Sequence, residues 1–414
     1  MNRREFTAAL AAPALLRSRS RGPARITRIT LAPVQGRFHK FVAMNSYDVE
    51  PKGHTYMNTL VRVSTDAGVE GVGVAAGAPT DPKNLEALKA LLGADALSLY
   101  EMREGRITGR SQPYADVLVR LKWLDGPLFD LVGKLTAKPC WKLLGEAARE
   151  RVEAYDGTLY FSDVWFSDRG VRAVLEEAEE SLKSGYLGMK FKIGRGWKWM
   201  EREAGLRRDI EVLKAVRKLA GPKVKILADA NNGFRDDFER AWRLTAETAE
   251  AKLHWMEEIF PEDVALYTRL RELMAKAGIR TLVADGETVR EPEALAPFLK
   301  PQRLVDVLQL DMRVGGFLGN LQMTRLGEPA GAVTVPHNWA SRVGLLMGLH
   351  MAKAVPSVVA AEDDRSSCDV LMADGYRFRQ GHYSLPDSPG LGLVVDQKIY
   401  DAKCRPKEIT LEVS

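Results

Sequence analysis

Cysteine is scarce in this chain: Cys140, Cys368 and Cys404 are three residues in 414. An odd, widely scattered set offers neither a disulfide framework nor the paired spacing of a zinc site, so all three read as structural thiols. No stretch approaches the ~20 consecutive apolar residues needed to span a bilayer, which argues against membrane insertion. A glycine-rich dinucleotide loop is also missing. The segment from Gly126 to Gly133-Lys134 superficially suggests a phosphate loop, but its glycines are too far apart and no Ser or Thr follows Lys134 directly. Charge of one sign is absent from most of the chain as well. The formal charge is +5, yet residues 1–25 hold Arg3, Arg4, Arg17, Arg19, Arg21 and Arg25 against Glu5 alone, which accounts for all of it. The remainder is close to neutral and presents no global field for nucleic acid or an anionic membrane.

What is present is the composition of a soluble globular protein, 45 % apolar and 28 % charged, at a length that favours two domains. The basic N-terminus, Asn2-Arg3-Arg4-Glu5-Phe6-Thr7 followed by a small apolar run from Ala8 to Leu16, resembles a twin-arginine export signal. The alternative is an unstructured arm on a cytoplasmic protein.

From Ile26 two segments alternate as half-buried strands do, Ile26–Leu31 and Thr59–Ser64, and residues 66–74 form a hairpin around Gly68. Helical stretches follow over 84–92 and 128–144, the second ending at Gly145 as a C-cap. A polar loop is expected from Gly36 to His54. Together these make an α+β domain. From Val152 the rhythm changes to eight short β-rich runs, each followed by a helical stretch: 152–155, 188–192, 225–230, 254–257, 281–285, 307–310, 332–336 and 358–361. Eight strand-plus-helix units predict a parallel barrel, whose chemistry gathers at the C-terminal ends of the strands. An open doubly wound sheet is the alternative.

Those strand ends supply an ionisable group seven times in succession: Lys190 and Lys192, Asp229, Glu257-Glu258, Glu287, Asp311, His337 and Glu362. Burying them together unpaired would cost several kcal/mol per charge, and a metal ringed by opposed charges resolves that cost. Asp229, Glu257 and Glu287 come from adjacent strands. Three hard oxygens without His or Cys suit Mg²⁺. Glu258 competes with Glu257; neighbours along a strand face opposite ways, so one of the two is expected to point inward. Asn231, two residues from Asp229, is placed in support of the ligands. Lys190 and Lys192, at i and i+2, leave the same face, and two adjacent ammonium groups are expected to lower at least one pKa. Lys192 then serves as base and Lys190 stays charged against a substrate carboxylate. Asp311 orients His337 as a second acid/base group, and Glu362 faces the lysines, where in protonated form it can donate a hydrogen bond to the developing enediolate.

With those residues in view, the chain resembles the enolase superfamily in its mandelate racemase subgroup. The resemblance is carried by Lys190-Phe191-Lys192-Ile193-Gly194, Asp229-Ala230-Asn231, Trp255-Met256-Glu257-Glu258, Asp285-Gly286-Glu287, Gln309-Leu310-Asp311 through Gly315-Gly316, Val335-Pro336-His337-Asn338 and Ala361-Glu362. Asp130-Leu131-Val132-Gly133-Lys134 and Pro389-Gly390-Leu391-Gly392 extend it to everything after Ile26. It implies a modified (β/α)7β TIM-type barrel over 149–385, with an α+β capping domain made of 26–148 and a returning segment 386–414. It implies Mg²⁺ on Asp229, Glu257 and Glu287, bases on both substrate faces, and a symmetric homo-oligomer. Two departures stand out. Ile259 occupies the place where the family usually has proline, and Asp363-Asp364 adds negative charge beside Glu362.

The reaction expected is abstraction of the proton alpha to a carboxylate, with dehydration of a sugar acid to a 2-keto-3-deoxy acid as the favoured outcome, on the strength of the resemblance. Racemisation or epimerisation on the same site is the enzymatic alternative, and an exported carboxylate-binding protein without turnover is the alternative from another class. Specificity is expected in the loop 36–54 and in the turn carrying Trp197 and Trp199. Trp197 and Asn338 are the candidate substrate contacts.

Overall fold

The computed structural model describes residues 22–413, so the twin-arginine-like stretch lies outside the described residues. The chain first builds an antiparallel sheet from β1 (Ile26–Val42), β2 (Gly53–Thr65) and β3 (Glu70–Ala75). β1 runs eleven residues beyond the expected Leu31, and the expected loop shrinks to residues 43–52. The reason is visible in the side chains. Val34, Gly36 and Phe38 alternate with Gln35, Arg37 and His39, and the buried set packs inward while the polar set faces solvent. A polar stretch with a period of two is a strand, not a loop.

α1 (Pro82–Lys89) starts at Asp81, whose carboxylate accepts the Lys83 N–H. The stretch expected as one helix over 128–144 is two, α2 (Asp125–Thr136) and α3 (Cys140–Leu144). Ala137 takes a left-handed conformation and Pro139 lacks the N–H that continuation requires. Asp130 on α2 ties the domain together. Its oxygens accept the Val72 N–H and the Leu391 N–H, each at 2.8 Å, and Lys134 neutralises it at 2.7 Å. The chain's end returns to the same sheet, Ile409–Glu412 pairing antiparallel with β1.

The second body is a parallel barrel of β4 (Val152–Leu159), β5 (Gly188–Lys192), β6 (Lys225–Asp229), β7 (Trp255–Glu257), β8 (Leu282–Asp285), β9 (Val307–Leu308), β10 (Val333–Thr334) and β11 (Ala361–Asp363). β11 closes the ring against β4 with Glu362 opposite Tyr155, and an isolated Thr334–Val358 bridge spans the gap beside β10. The eighth strand therefore lies later than the expected 358–361, and Glu362 sits inside it. Tyr155, Leu227, Trp255, Ala284, Val307 and Val335 fill the interior. Phe191, Ile226, Ala228, Met256 and Leu308 point outward to the helices α4 (Val171–Lys183), α5 (Arg202–Ala220), α6 (Phe238–Glu247) and α7 (Val264–Lys276). α8 (Met312–Gly327) and α9 (Arg342–Ala354) complete the outer layer and join the core of the capping sheet. None of the described helices is long and apolar enough to cross a membrane.

Candidate active site

Ladder register sets the first half of the site. Lys192 pairs with Asp229, and Asp229 with Glu257, so three ionisable side chains stand in a row at one level. Glu287 joins them from the turn after β8, where Gly286 at φ 118° turns the chain back. One carboxylate oxygen each from Asp229, Glu257 and Glu287 lies within 4.8 Å of the others. The convergence on which the metal reading depends is present.

Lys190 and Lys192 are buried at 1 % and 4 % exposure. The Lys190 Nζ lies 2.6 Å from Glu362 Oε1, 2.8 Å from Glu257 Oε1 and 3.4 Å from Asp229 Oδ2, while Lys192 bonds Asp229. The expected lowering of a lysine pKa does not occur here. Burial disfavours both ammonium groups, but Glu257 and Glu362 raise Lys190 well above its usual value, and Asp229 raises Lys192 against the opposition of Lys190. Carboxylates outweigh the repulsion between the two lysines. Burial also pushes the Glu257 carboxyl up; Lys190 opposes this and the neighbouring Asp229 adds to it.

Both members of the Glu257-Glu258 pair turn into the site, contrary to the expectation that one would. β7 ends at Glu257, and Glu258 adopts φ 44°, which breaks strand alternation. Glu258 Oε2 accepts from Asn231 Nδ2 at 3.1 Å and from the Tyr47 hydroxyl at 2.8 Å. Asn231, also left-handed at φ 42°, donates its backbone N–H to Asp229 Oδ1 at 2.9 Å and its amide to Glu287 Oε1 at 3.2 Å. It therefore bridges two of the three converging carboxylates. Ile259 is buried in the outer core beyond this turn.

On the opposite side, His337 Nδ1 lies 2.8 Å from Asp311 Oδ2 and Nε2 lies 3.2 Å from Glu287 Oε2. Asp311 is oriented by capping α8, its Oδ1 accepting the Arg313 and Val314 N–H groups at 2.7 and 3.1 Å. Burial works against the imidazolium, but Glu287, the Asp311 hydrogen bond and Glu362 push His337 up to about 9. Glu362 is anchored by the Asn338 backbone N–H at 3.1 Å and by Lys190.

The two candidate substrate contacts have partners of their own within the protein. Asn338 is 2 % exposed and directs its backbone N–H and amide to Glu362. Trp197 is half-buried with the Arg235 guanidinium 4.9 Å over its ring, and Trp199 donates its indole N–H to the Asn45 carbonyl. Asp363 and Asp364 do not add charge to the site. Asp363 accepts the hydroxyls of Tyr186 and Tyr383, each at 2.7 Å, and Asp364 accepts the Ser341 N–H. Sequence reasoning missed Tyr47, Asn232 and Tyr160, whose ring lies 5.1 Å beneath the Lys192 Nζ. It also missed Arg195, fully buried between Asp163 and Asp209 and donating to the Lys192 carbonyl. Tyr160 directly follows β4 and Asn232 lies three residues past β6, strand-end positions that an inventory of charged groups passes over; the KFKIGR segment alone placed Arg195 near the lysines.

A cation has room in this charge balance. Glu258 Oε1 and Asn231 Oδ1 are buried without a hydrogen-bond donor, and Glu287 Oε2 accepts no aligned hydrogen bond. Buried carboxylate and amide oxygens left in this state are what a hard cation satisfies. A cavity of about 330 Å³ between cap and barrel reaches this cluster at Glu287 and is lined otherwise by Gly77, Arg120, Lys122, Trp123 and Arg290 among others.

Residues 173–399 match the model of the Enolase C-terminal domain-like family. The chain is 30 % identical over 286 residues to the arabinonate dehydratase of Saccharolobus solfataricus, covering 68 % of this chain and 71 % of that one. It is 27 % identical over 361 residues to the D-xylonate dehydratase of Haloferax volcanii, covering 83 % and 84 %. A mutant galacturonate dehydratase from Geobacillus sp., solved in complex with Mg, superposes with a TM-score of 0.82 at 26 % identity over 94 % of this chain and 97 % of that one.

Proposed function

The chain belongs to the Enolase C-terminal domain-like family, and on that premise we propose that it is an Mg²⁺-dependent hydro-lyase that converts a sugar acid to a 2-keto-3-deoxy acid. The observation that carries the proposal is the convergence of Asp229, Glu257 and Glu287 between Lys192 on one side and the His337–Asp311 pair on the other. Relatives named as arabinonate and D-xylonate dehydratases support the choice of dehydration. The barrel over 149–385 is proposed as the catalytic unit, with 26–148 and 386–414 as its cap.

Asp229, Glu257 and Glu287 would hold the metal, with Asn231 orienting Asp229 and Glu287. When bound, Mg²⁺ would supply Lewis-acid stabilisation of the enediolate and compete with the lysines for the carboxylate charge that holds both as ammonium ions. Lys192, deprotonated for the reaction, takes the alpha proton at its Nζ. Lys190 would meet the negative charge that gathers on the substrate carboxylate as the proton leaves, and its neighbour Glu362 would add a hydrogen bond to that oxygen when it carries a proton. His337, flanked by two carboxylates and held as an imidazolium, is set to deliver a proton from Nε2 to a departing β-hydroxyl. A neutral leaving group, water, departs, and the enol left behind becomes the keto acid.

The test is incubation of the Mg²⁺-loaded enzyme with a panel of acid sugars in D₂O. Keto acid with solvent deuterium incorporated is the expected product. Exchange of the alpha proton without keto acid identifies a racemase, and an untouched alpha proton across the panel sinks both enzymatic readings in favour of a carboxylate-binding protein. The Arg3-Arg4 segment is proposed as a twin-arginine signal, checked by fractionating cells that express the chain with and without Arg3→Lys and Arg4→Lys. A symmetric homo-oligomer is proposed as well, checked by light scattering.

A further inference from the structure

The cap meets the barrel through residues 44–47, which touch four successive strand ends in chain order. The Met44 carbonyl accepts the Phe161 N–H at 2.9 Å after β4. Ser46 Oγ, fully buried, donates to the Ile193 and Gly194 carbonyls, both at 3.1 Å, after β5. Tyr47 takes the Asn232 amide at 2.7 Å after β6 and donates its own proton to Glu258 Oε2 at 2.8 Å after β7. Met44 and Ser46 grip only main chain. Among the described residues of this segment, Tyr47 is the one whose side chain reaches a carboxylate of the acidic cluster.

We propose that Tyr47 is a positioning residue through which docking of the cap sets the affinity of the acidic cluster for its divalent cation. The inference rests on the reading of Asp229, Glu257 and Glu287 as the Mg²⁺ ligands. A continuous run of hydrogen bonds leads from the cap to those ligands: Tyr47 Oη to Glu258 Oε2, Asn231 Nδ2 to the same oxygen, Asn231 Nδ2 again to Glu287 Oε1, and the Asn231 N–H to Asp229 Oδ1. Glu258 is 1 % exposed, and its other oxygen has no donor, so each donor to Oε2 matters. Without the Tyr47 proton, one N–H of Asn231 Nδ2 is the only donor left to Glu258 Oε2, and as the amide turns toward that oxygen its second N–H turns away from Glu287 Oε1. The ligand then loses the hydrogen bond that aims it. The arrangement is held against loosening, because the Asn45 side chain accepts the Tyr47 and Asp48 N–H groups and Trp199 pins the Asn45 carbonyl. Coupling of this kind is reciprocal: a cation that fixes Glu287 also steadies Asn231, Glu258 and, through Tyr47, the cap segment.

The test uses Mg²⁺ alone, without substrate. Isothermal titration is expected to show the Mg²⁺ Kd of Tyr47→Phe weakened about tenfold, and that of Tyr56→Phe, a cap residue whose hydroxyl faces the Ser367 carbonyl, by less than about twofold. Hydrogen exchange is expected to slow over residues 43–52 when Mg²⁺ is added to the wild type, and that slowing is expected to vanish in Tyr47→Phe. A role confined to packing moves neither readout with the metal. Wild-type Mg²⁺ affinity in Tyr47→Phe, or exchange over 43–52 that ignores Mg²⁺ in the wild type, overturns the coupling. Where the wild type binds Mg²⁺ and Asp229→Asn does not, that result overturns the coupling alone; a wild type that binds no Mg²⁺ overturns the metal reading with it.

Discussion

The two sides of the site are held by different devices. On the lysine side, Lys190, Lys192, Asp229, Glu257 and Glu362 lie within strands, and their relative places follow from ladder register. On the histidine side, Asn231, Glu258, Glu287, Asp311 and His337 stand one to three residues beyond strand ends. Four of those depend on something local: left-handed backbone at Asn231 and Glu258, Gly286 before Glu287, a helix cap at Asp311, which in turn holds His337. A ladder shares its constraint over many hydrogen bonds, whereas a turn or a cap rests on one or two. The lysine side is thus the fixed half of the site and the histidine side the adjustable half.

The largest effect is expected where the halves meet. Asp229→Asn removes the partner of Lys192 and a carboxylate of the converging triad, and should abolish Mg²⁺ binding by titration and lower kcat/KM by about 10³ or more. Binding of Mg²⁺ with wild-type affinity would show that the two sides do not share a metal. Next, the sides can be separated by chemistry. Lys192→Ala should lose alpha-proton exchange in D₂O together with turnover, by about 10²–10⁴. His337→Asn should lose a similar factor in keto-acid formation while retaining exchange. Equal loss of both signals in both variants contradicts the assignment of separate steps.

A smaller effect is expected from Asp311→Asn, which keeps a capping side chain on α8 but withdraws the carboxylate from His337. Its kcat should fall about 10–100-fold with the melting temperature nearly unchanged; a large drop in stability would place Asp311 in the scaffold instead. The smallest concerns the contact of barrel and cap at His350. Its Nδ1 accepts the Trp141 N–H at 3.1 Å, and Nε2 meets the Tyr376 hydroxyl at 2.7 Å, which itself donates to the Leu391 carbonyl. Nε2 therefore carries the ring proton. Burial, with Lys353 nearby, lowers this histidine to about 3 from an ordinary 6.5. The unfolded chain then binds the proton more readily, so the stabilisation is complete above pH 6.5 and declines as pH falls toward 3. Thermal melts between pH 7 and 4 should show a shallower decline for His350→Phe than for the wild type.

Much of the barrel was legible because its signal is periodic. β5 was read to the residue, and β6, β7 and β8 to within a residue or two, since apolar runs capped by charged residues mark a parallel strand end. The failures have separate causes. β1 from Gly36 onward reads as a loop in the sequence because its exposed face is polar. The break at Ala137 combines Pro139, a helix stop legible in the sequence, with a left-handed residue that is not glycine, which no composition rule announces. The lysine pKa values were misjudged because two neighbours in sequence were weighed without the three carboxylates that surround them in space.

The sequence by itself determined which chemistries were available: hard oxygen ligands, two lysines on one face, and a histidine near an aspartate, each delivered by the two-residue period of a strand and the rhythm of strand and helix. Tertiary structure alone decided which acids face one another, that Glu258 joins Glu257 inside the site, that Asn338 serves Glu362, and that Tyr47 of the cap reaches the acidic cluster. Those choices depend on backbone twists of single residues and on contacts between segments up to 211 positions apart, where no local pattern in the chain can register them.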